Sequence, residues 1–331
     1  MRTSVEEIPS VDVHTHLAPL LTPATAADLG VESADGAIVV DGHAVGPAAL
    51  YRPAALEGFL DECRVTQALV SIPPPLFRQG LAGPAAARWA QAVNDGLVAR
   101  LEGRDRLRPL AYLPLDQPAA AIAEYRRVRA MDHFAGVAVA AGGGTGPLDD
   151  PELTALWADL DTDGRGVFLH PAAAPDRRLD RFYLANLLGN PSETALAAAD
   201  LVFSGMLARF PGIRFVLAHC GGTLPAVVGR WQRGLDTARP GIGELALGPA
   251  AAVRRLYVDS LSHDPRVVDL AAEVFGTDRL LLGSDWPFPM GTSDVRGTVR
   301  HRGPEAENLI ACRNPGRAFP VRALAARGSD D

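Results

Sequence analysis

Two histidines separated by a single residue stand near the start of the chain. The run VDVHTH places His14 and His16 in a β-prone segment, with Asp12 two residues earlier. Alternate side chains of a strand share a face, so both imidazoles point to one place and Asp12 lies one step deeper. Imidazole nitrogens bind divalent transition metals. The pair alone is a weak signal, because surface and hydrogen-bonded histidines at this spacing are also common.

Three further side chains that can bind a metal or move a proton stand at the ends of apolar runs. His170 ends GVFLH, His219 ends RFVLAH, and Asp285 closes LLLGSD. Taken singly, each has an ordinary interpretation, since a histidine can cap a sheet by hydrogen bonds and an aspartate can cap a helix or a turn. A carboxylate at the end of a very apolar strand is costly unless it is paired or bound to a cation. The coincidence of all three with the histidine pair predicts one shared site.

The elements that must position these residues recur along the whole chain. Short apolar, β-prone runs alternate with longer Ala-, Leu- and Arg-rich segments of helical character. The runs are VDVH at 11–14, ALVSI at 68–72, RPLAYL at 108–113, GVAVA at 136–140, GVFLH at 166–170, RFVLAH at 214–219, LYVDS at 256–260 and LLLGSD at 280–285. Eight such units favour a closed parallel barrel over an open doubly wound sheet, and no nucleotide fingerprint follows the first run. The predicted fold is α/β, a (β/α)8 TIM barrel with its site at the carboxyl ends of the strands.

One segment interrupts the alternation of strands and helices. Within 18–50, the stretch GAIVVDGHAVG places Asp41-Gly42 between two β-prone runs, which indicates a tight hairpin. We predict a small insertion over the mouth of the barrel. The whole chain, 1–331, is expected to form a single barrel domain, and the polar end at 328–331 is expected to be frayed.

Composition and charge exclude several functional classes. The formal net charge is −7, so no basic face is expected for nucleic acid or an anionic membrane surface. The N-terminus lacks a signal-peptide pattern, and no apolar run approaches the roughly 20 residues that span a bilayer. Cys63, Cys220 and Cys312 are far apart, as suits free thiols in a reducing compartment. We expect a cytoplasmic protein that acts on a small molecule.

Five motifs, in order along the chain, carry a resemblance to a known family. They are VDVHTH, FLHP, GNPSETALAAADLVFSGMLARFPGIRFVLAHCGGTLP, YVDSLSHDP and LLGSDWPFP. With these motifs the sequence resembles the aminocarboxymuconate-semialdehyde decarboxylase-like branch of the amidohydrolase superfamily, also called amidohydrolase family 2. The resemblance covers the chain from residue 11 to about residue 320.

The resemblance implies a role for each residue of the predicted site. His14, His16, His170 and Asp285 would be ligands of one divalent ion, usually zinc, although the ligand set also accepts manganese or iron. His219 would be the acid/base, and Asp285 would take part in catalysis as well as in metal binding.

The resemblance also implies a homodimer. The family has a carboxylate-binding arginine that comes from a neighbouring protomer, and Arg230 in VVGRWQ stands at the matching place. Arg239 is a second position of this kind. Without the resemblance, each is equally well interpreted as a solvated helix residue.

Three departures from the family pattern affect the substrate more than the fold. The early arginine is absent from DGHAVGPAALYRP, where Arg52 is out of register. Tyr183 and Asn186 stand where relatives often have tryptophans, and the C-terminal motif keeps only Asn314.

Two aromatic residues after the last predicted strand are candidates for the walls of the pocket. Trp286 and Phe288 lie in DWPFP, where packing at a strand-to-loop bend is an equally good interpretation. Together with Tyr183, Asn186 and Arg230 they form the predicted substrate-binding set.

Three functions are compatible with these residues. The favoured one is nonoxidative loss of CO2 from an unsaturated or aromatic carboxylic acid, and the alternative is hydrolysis of an amide, lactone or related bond by a metal-activated water. The missing early arginine favours hydrolysis, and the motif match favours decarboxylation. A barrel that only binds a ligand is disfavoured, because every residue of the metal and acid/base set is present.

Overall fold

The computed structural model describes residues 8–34 and 37–319. Its main sheet has eight parallel strands in the order β1-β5-β6-β7-β8-β9-β10-β11. The strands are β1 (Val11–His16), β5 (Gln67–Ser71), β6 (Leu107–Tyr112), β7 (Gly136–Ala141), β8 (Gly166–Pro171), β9 (Arg214–Leu217), β10 (Tyr257–Asp259) and β11 (Leu280–Leu281). All eight predicted runs are therefore strands of one sheet. The frayed end expected at 328–331 lies outside the described residues.

The first strand and the segment after the last strand bring the sheet towards closure. The amide of Val13 donates to the carbonyl of Leu282 at 2.9 Å, and the amide of His16 donates to the carbonyl of Trp286 at 2.8 Å. The amide of Asp285 donates to the carbonyl of His14 at 2.8 Å. Since the two strands meet beside these residues, closure of the barrel is also what brings Asp285 to the histidine pair. The predicted (β/α)8 architecture is confirmed.

Helices connect the strands and cover the outside of the sheet. They are α1 (Pro23–Asp28), α2 (Pro53–Cys63), α3 (Gly83–Arg100), α4 (Pro118–Val128), α5 (Thr154–Asp163), α6 (Asn190–Phe203), α7 (Met206–Arg209), α8 (Leu224–Asp236), α9 (Pro249–Ala252), α10 (Pro265–Phe275), α11 (Gly297–Arg300), α12 (Pro304–Asn308) and α13 (Asn314–Ala318). No helix among the described residues is long and apolar enough to cross a membrane.

Helix α10 shows how the sequence produces these elements. Asp264 accepts a hydrogen bond from the amide of Arg266 and caps the helix, while Pro265 occupies the first turn, where no amide donor is needed. The buried positions Val268, Ala271, Ala272 and Phe275 recur at helical spacing and form the face that packs inward.

The ring of Phe319 packs against the amino ends of two neighbouring strands. Gly136 and Gly166 begin β7 and β8, and a Cβ at these positions would lie 3.0 and 2.3 Å from the ring of Phe319. Glycine at both positions therefore lets Phe319 pack against the sheet.

The insertion contains a small second sheet. Strands β2 (Glu32–Ala34), β3 (Ala37–Val40) and β4 (His43–Ala44) pair antiparallel. Between β3 and β4, Asp41 and Gly42 have φ of 50° and 77°, the left-handed conformation that a two-residue hairpin turn requires. The placement of this sheet over the mouth of the barrel stays a prediction.

Candidate metal centre and active site

The predicted site residues lie at the carboxyl ends of the strands. His14 and His16 are on β1, His170 is on β8, and Asp285 follows β11. His219 begins the short 3-10 turn that follows β9. Successive side chains of β1 point to opposite faces, so His14 and His16 share a face. Closure of the barrel brings the other residues to the same place.

Four side chains form one compact cluster. One ligand atom each from His14, His16, His170 and Asp285 lies within 4.8 Å of the others, and all four residues are buried. The Asp285 Oδ1 atom lies 3.3 Å from His14 Nε2 and 3.1 Å from His16 Nε2. The imidazole rings meet edge to face, with centroids 5.0 to 5.2 Å apart.

Apart from their ion-pair contacts with one another, the atoms that face the centre of this cluster have no hydrogen-bond partner. They are the Nε2 atoms of His14, His16 and His170 and the Oδ1 atom of Asp285, all buried. An unsatisfied buried polar atom costs about 1–3 kcal/mol, so four that converge on one point indicate a site built for a cation. Three imidazole nitrogens and one carboxylate oxygen are a donor set that divalent transition metals accept. The residues therefore fit a divalent metal ion.

The opposite ring nitrogens are all engaged. Each Nδ1 atom has an oxygen neighbour, which leaves Nε2 for the cluster. The distances are 2.7 Å from His14 to Asp259 Oδ2, 3.0 Å from His16 to Ser71 Oγ, and 3.0 Å from His170 to the carbonyl of Pro171.

The electrostatics of the cluster favour a cation. Burial lowers the pKa of both His16 and His170. Burial alone would raise the pKa of Asp285, but the charge of His14 holds it well below its usual range. Burial alone would lower the pKa of His14, but the charge of Asp285 and the hydrogen bond with Asp259 raise it to about 10. The polypeptide thus places neutral imidazoles around an ionised carboxylate and draws a proton to His14 as a counter-charge.

His219 lies beside the cluster rather than within it. Its Nε2 atom is 3.7 Å from Asp285 Oδ2, and its ring centroid is 5.2 Å from that of His14. Its side chain is 19% exposed, whereas that of His14 is fully buried, so a bound molecule can reach it. His219 and Cys220 have φ of 54° and 57°, a strained conformation for residues with a Cβ. Such strain is often found where a side chain must be aimed at a site.

Reasoning from the sequence missed two residues that lie against His14. Asp259 at the end of β10 is fully buried and binds the His14 ring, and the only sequence signal was an aspartate that closes the apolar run LYVDS. Gly283 is the other, because a Cβ there would lie 2.6 Å from Asp259 Cβ and 3.0 Å from His14 Cβ.

Aromatic rings surround the cluster. The ring of Phe288 lies 5.4 Å from that of His16, centroid to centroid, and Trp286 is half-buried with its ring 6.3 Å from Phe59. Phe77, which the sequence did not single out, lies 6.1 Å from the His170 ring. The structure therefore brings Phe288 against the cluster, whereas the ring of Trp286 packs beside Phe59.

The remaining predicted substrate contacts are not joined to the cluster. Tyr183 is 64% exposed, Asn186 is half-buried in the turn before α6, and Arg230 is exposed on α8. Within residues 8–34 and 37–319, no hydrogen bond or ring contact links these three to the metal ligands or to His219. Their roles stay predictions.

Comparison with known proteins places the whole arrangement in context. A family model described as "Amidohydrolase" matches residues 11–321. The chain is 30% identical over 227 residues to 2-amino-3-carboxymuconate-6-semialdehyde decarboxylase of Dictyostelium discoideum, covering 67% of this chain and 63% of that protein. It is 29% identical over 256 residues to gamma-resorcylate decarboxylase of Rhodococcus jostii, covering 69% of this chain and 75% of that protein.

Solved structures show the same fold. The crystal structure of IDCase from Metarhizium anisopliae superposes with a TM-score of 0.77 at 25% identity. The superposition covers 98% of this chain and all of that one.

Proposed function

Because the chain belongs to the amidohydrolase family, we propose that it is a metal-dependent decarboxylase that releases CO2 from an unsaturated or aromatic carboxylic acid without an oxidant. The observation that carries this proposal is the convergence of four buried atoms that can bind a metal, three imidazole nitrogens and one carboxylate oxygen, beside the accessible His219. The two decarboxylases to which the chain is similar support the reaction class.

The proposed reaction uses the chain's own residues in distinct roles. His14, His16, His170 and Asp285 hold the ion, for which zinc is the first candidate and manganese or iron are alternatives. When bound, the ion supplies positive charge that polarises a substrate oxygen. The bond between the carboxyl carbon and its neighbour breaks, and the electron pair stays on that neighbour. His219 delivers a proton to it from Nε2 as CO2 leaves.

The aromatic walls support a planar substrate. Phe288 stands against His16, Phe77 lies near His170, and Trp286 directly follows Asp285 in the chain. Flat aromatic faces bind a ring or a conjugated chain by stacking and exclude water from it. Water exclusion strengthens the electrostatic stabilisation of the charge that develops on carbon.

A homodimer in which Arg230 reaches the partner's site is part of the proposal. Arg230 is exposed, and it forms no hydrogen bond or ion pair within the described part of the chain. Arg239, by contrast, donates to the carbonyl of Thr237 in its own loop. Large apolar side chains are exposed on the segment before α6 and on α6 itself, namely Phe182, Tyr183, Leu187, Leu188 and Leu196. An interface there would cover them and bring Tyr183 and Asn186 near a substrate.

Complementation between two inactive variants tests the arginine across the interface. Arg230→Ala and His219→Ala protomers, mixed so that they exchange, would form hybrids with one complete site. Random pairing predicts recovery of about a quarter of wild-type activity. Arg230 acting within its own protomer predicts no recovery, and that result would refute the shared site.

The cellular location is also a proposal. Cys63 and Cys220 are buried free thiols, as expected in a reducing cytoplasm. Recovery of the native enzyme from a secreted or periplasmic fraction would contradict it.

Release of CO2 by zinc-loaded protein from a panel of unsaturated and aromatic acids tests the reaction. His219→Ala should abolish release. His133→Ala is the matched control, because His133 is exposed and precedes β7 at the opposite end of the barrel. Loss of activity in His219→Ala alone supports decarboxylation.

Hydrolysis remains the second candidate because the early arginine is missing and Arg52 is exposed. If the metal-loaded protein releases no CO2 from any acid of the panel but turns over amides or lactones, hydrolysis would replace decarboxylation as the proposed function.

A further inference from the structure

One buried carboxylate touches both halves of the proposed site. Asp259 is fully buried at the end of β10. Its Oδ2 atom accepts from His14 Nδ1 at 2.7 Å and from the His219 amide at 3.0 Å. Its Oδ1 atom accepts from the Cys220 amide at 2.8 Å and from the Leu261 amide at 3.0 Å.

These four contacts leave Asp259 no capacity to bind a metal. A carboxylate has about four lone-pair positions, and all are directed to donors here. Backbone amides can only donate, so Asp259 is ionised and accepts every one of these bonds. Asp259 therefore acts through its neighbours and not on the ion.

The contact with His14 selects a tautomer. An ionised carboxylate can only accept, so the proton of a neutral His14 must be on Nδ1. The lone pair is then on Nε2, the atom that faces Asp285 Oδ1 at 3.3 Å. A ligand held in this way keeps both its orientation and its basicity.

The contacts with the turn after β9 hold the His219 backbone. His219 and Cys220 both adopt positive φ, which is unfavourable for residues with a Cβ. Hydrogen bonds from both amides to a buried charge compensate for this conformation. The position of the His219 side chain therefore depends on the same carboxylate that orients His14.

We infer that Asp259 is a positioning residue that couples the two parts of the site: it fixes the Nδ1-protonated tautomer of His14 for metal binding and holds the His219 turn in its aimed conformation. The inference rests on the proposed metal site and extends it to a residue outside the ligand set. Neither role requires knowledge of the substrate.

Asp259→Asn tests the inference with little change in volume. Whichever way the amide turns, its NH2 group faces two N–H donors. Facing His14, it forces the proton to Nε2 and removes the lone pair from the cluster. Facing the amides of Cys220 and Leu261, it removes the hydrogen bond that holds the turn at Cys220. The amide oxygen then faces His14 and is a weaker, neutral acceptor than the carboxylate. We expect the dissociation constant for Zn²⁺, measured by competition with a chromophoric chelator, to rise about 10- to 100-fold. Amide hydrogen exchange at 219–220 should accelerate.

Asp12→Asn is the matched control. Asp12 is also fully buried, and its Oδ1 atom accepts from the backbone amides of His14 and Ser284, each at 3.1 Å, not from an imidazole. This variant should bind Zn²⁺ with wild-type affinity and keep 219–220 protected. A folded Asp259→Asn protein with wild-type affinity for Zn²⁺ would overturn the inference.

A measurement on the wild-type protein covers the case in which Asp259→Asn does not fold. In protein with ¹⁵N-labelled histidine, two-bond nitrogen–proton couplings identify the ring nitrogen that carries the proton. We expect Nδ1 of His14 to carry a proton, whether the ring is neutral or doubly protonated, and a ring protonated at Nε2 alone would overturn the inference. Since this measurement needs no ion, failure of the wild-type protein to bind Zn²⁺ would refute the proposed metal site and leave the tautomer test standing.

Discussion

A single methyl group at Gly283 should disturb both the stability and the metal site. Gly283 is buried between β11 and Asp285, and a Cβ there would lie 2.6 Å from Asp259 Cβ and 3.0 Å from both Asp259 Cγ and His14 Cβ. Neither neighbour can move easily, because Asp259 is held by four hydrogen bonds and His14 is held by its strand. Gly283→Ala must therefore push these two residues out of position.

The expected magnitude follows from overpacking. Extra methyl groups in a packed interior cost about 1–3 kcal/mol, and contacts this short belong at the upper end, about 3 kcal/mol. At about 2.1 cal/mol/K per residue, the 331-residue chain has an unfolding entropy of about 0.7 kcal/mol/K. The melting temperature should therefore fall by about 4 °C. Affinity for Zn²⁺ should fall as well, because the displaced pair orients a metal ligand.

Thermal unfolding and chelator competition measure the two effects, with Gly58→Ala as the matched control. Gly58 is exposed within α2, and a Cβ there meets nothing within 4 Å. Alanine is favoured over glycine in a helix by about 1 kcal/mol, so this control should melt about 1 °C higher and bind Zn²⁺ normally. If Gly283→Ala matches the wild type in both melting temperature and affinity, our account of the close approach at this position is wrong.

Three further outcomes follow from other parts of the structure. Zn²⁺ at about 1,000 times its dissociation constant should stabilise the metal-free protein by about 4 kcal/mol, which raises the melting temperature by about 6 °C. His170→Ala should lose this rise, and an equal rise in the variant would contradict the ligand assignment. Burial raises the pKa of the Cys220 thiol, so iodoacetamide at pH 8 should leave Cys220 unmodified in the native protein. Peptide mass analysis measures the modification, and labelling of Cys220 before unfolding would contradict its burial. Hydrogen bonds from the Arg266 guanidinium and amide lower the pKa of Asp264 to about 2. The cap of α10 therefore contributes stability above pH 3.8 that is lost as the pH falls through about 2. An NMR titration of the Asp264 carboxyl carbon with a midpoint near 4 would refute this.

Local patterns in the sequence determined much of this protein. Apolar runs predicted all eight barrel strands, because burial on both faces leaves a continuous apolar signature. The parity of β1 predicted that His14 and His16 share a face, and strand ends predicted the positions of His170, His219 and Asp285. These features depend on side-chain alternation and on where a strand stops, both of which a short stretch of sequence contains.

Only the tertiary structure decided how the site is supported. Asp259 and His14 are 245 residues apart in the chain, and Gly283 lies opposite both. No local pattern identifies such a contact, because it depends on the register of strands around the closed barrel and on the path of the chain after β11. The same holds for the choice of ring nitrogen in each metal ligand, since that choice is made by whichever oxygen the fold places beside Nδ1. Residue type and strand position therefore predict which side chains can bind a metal, whereas the closed barrel determines their orientation.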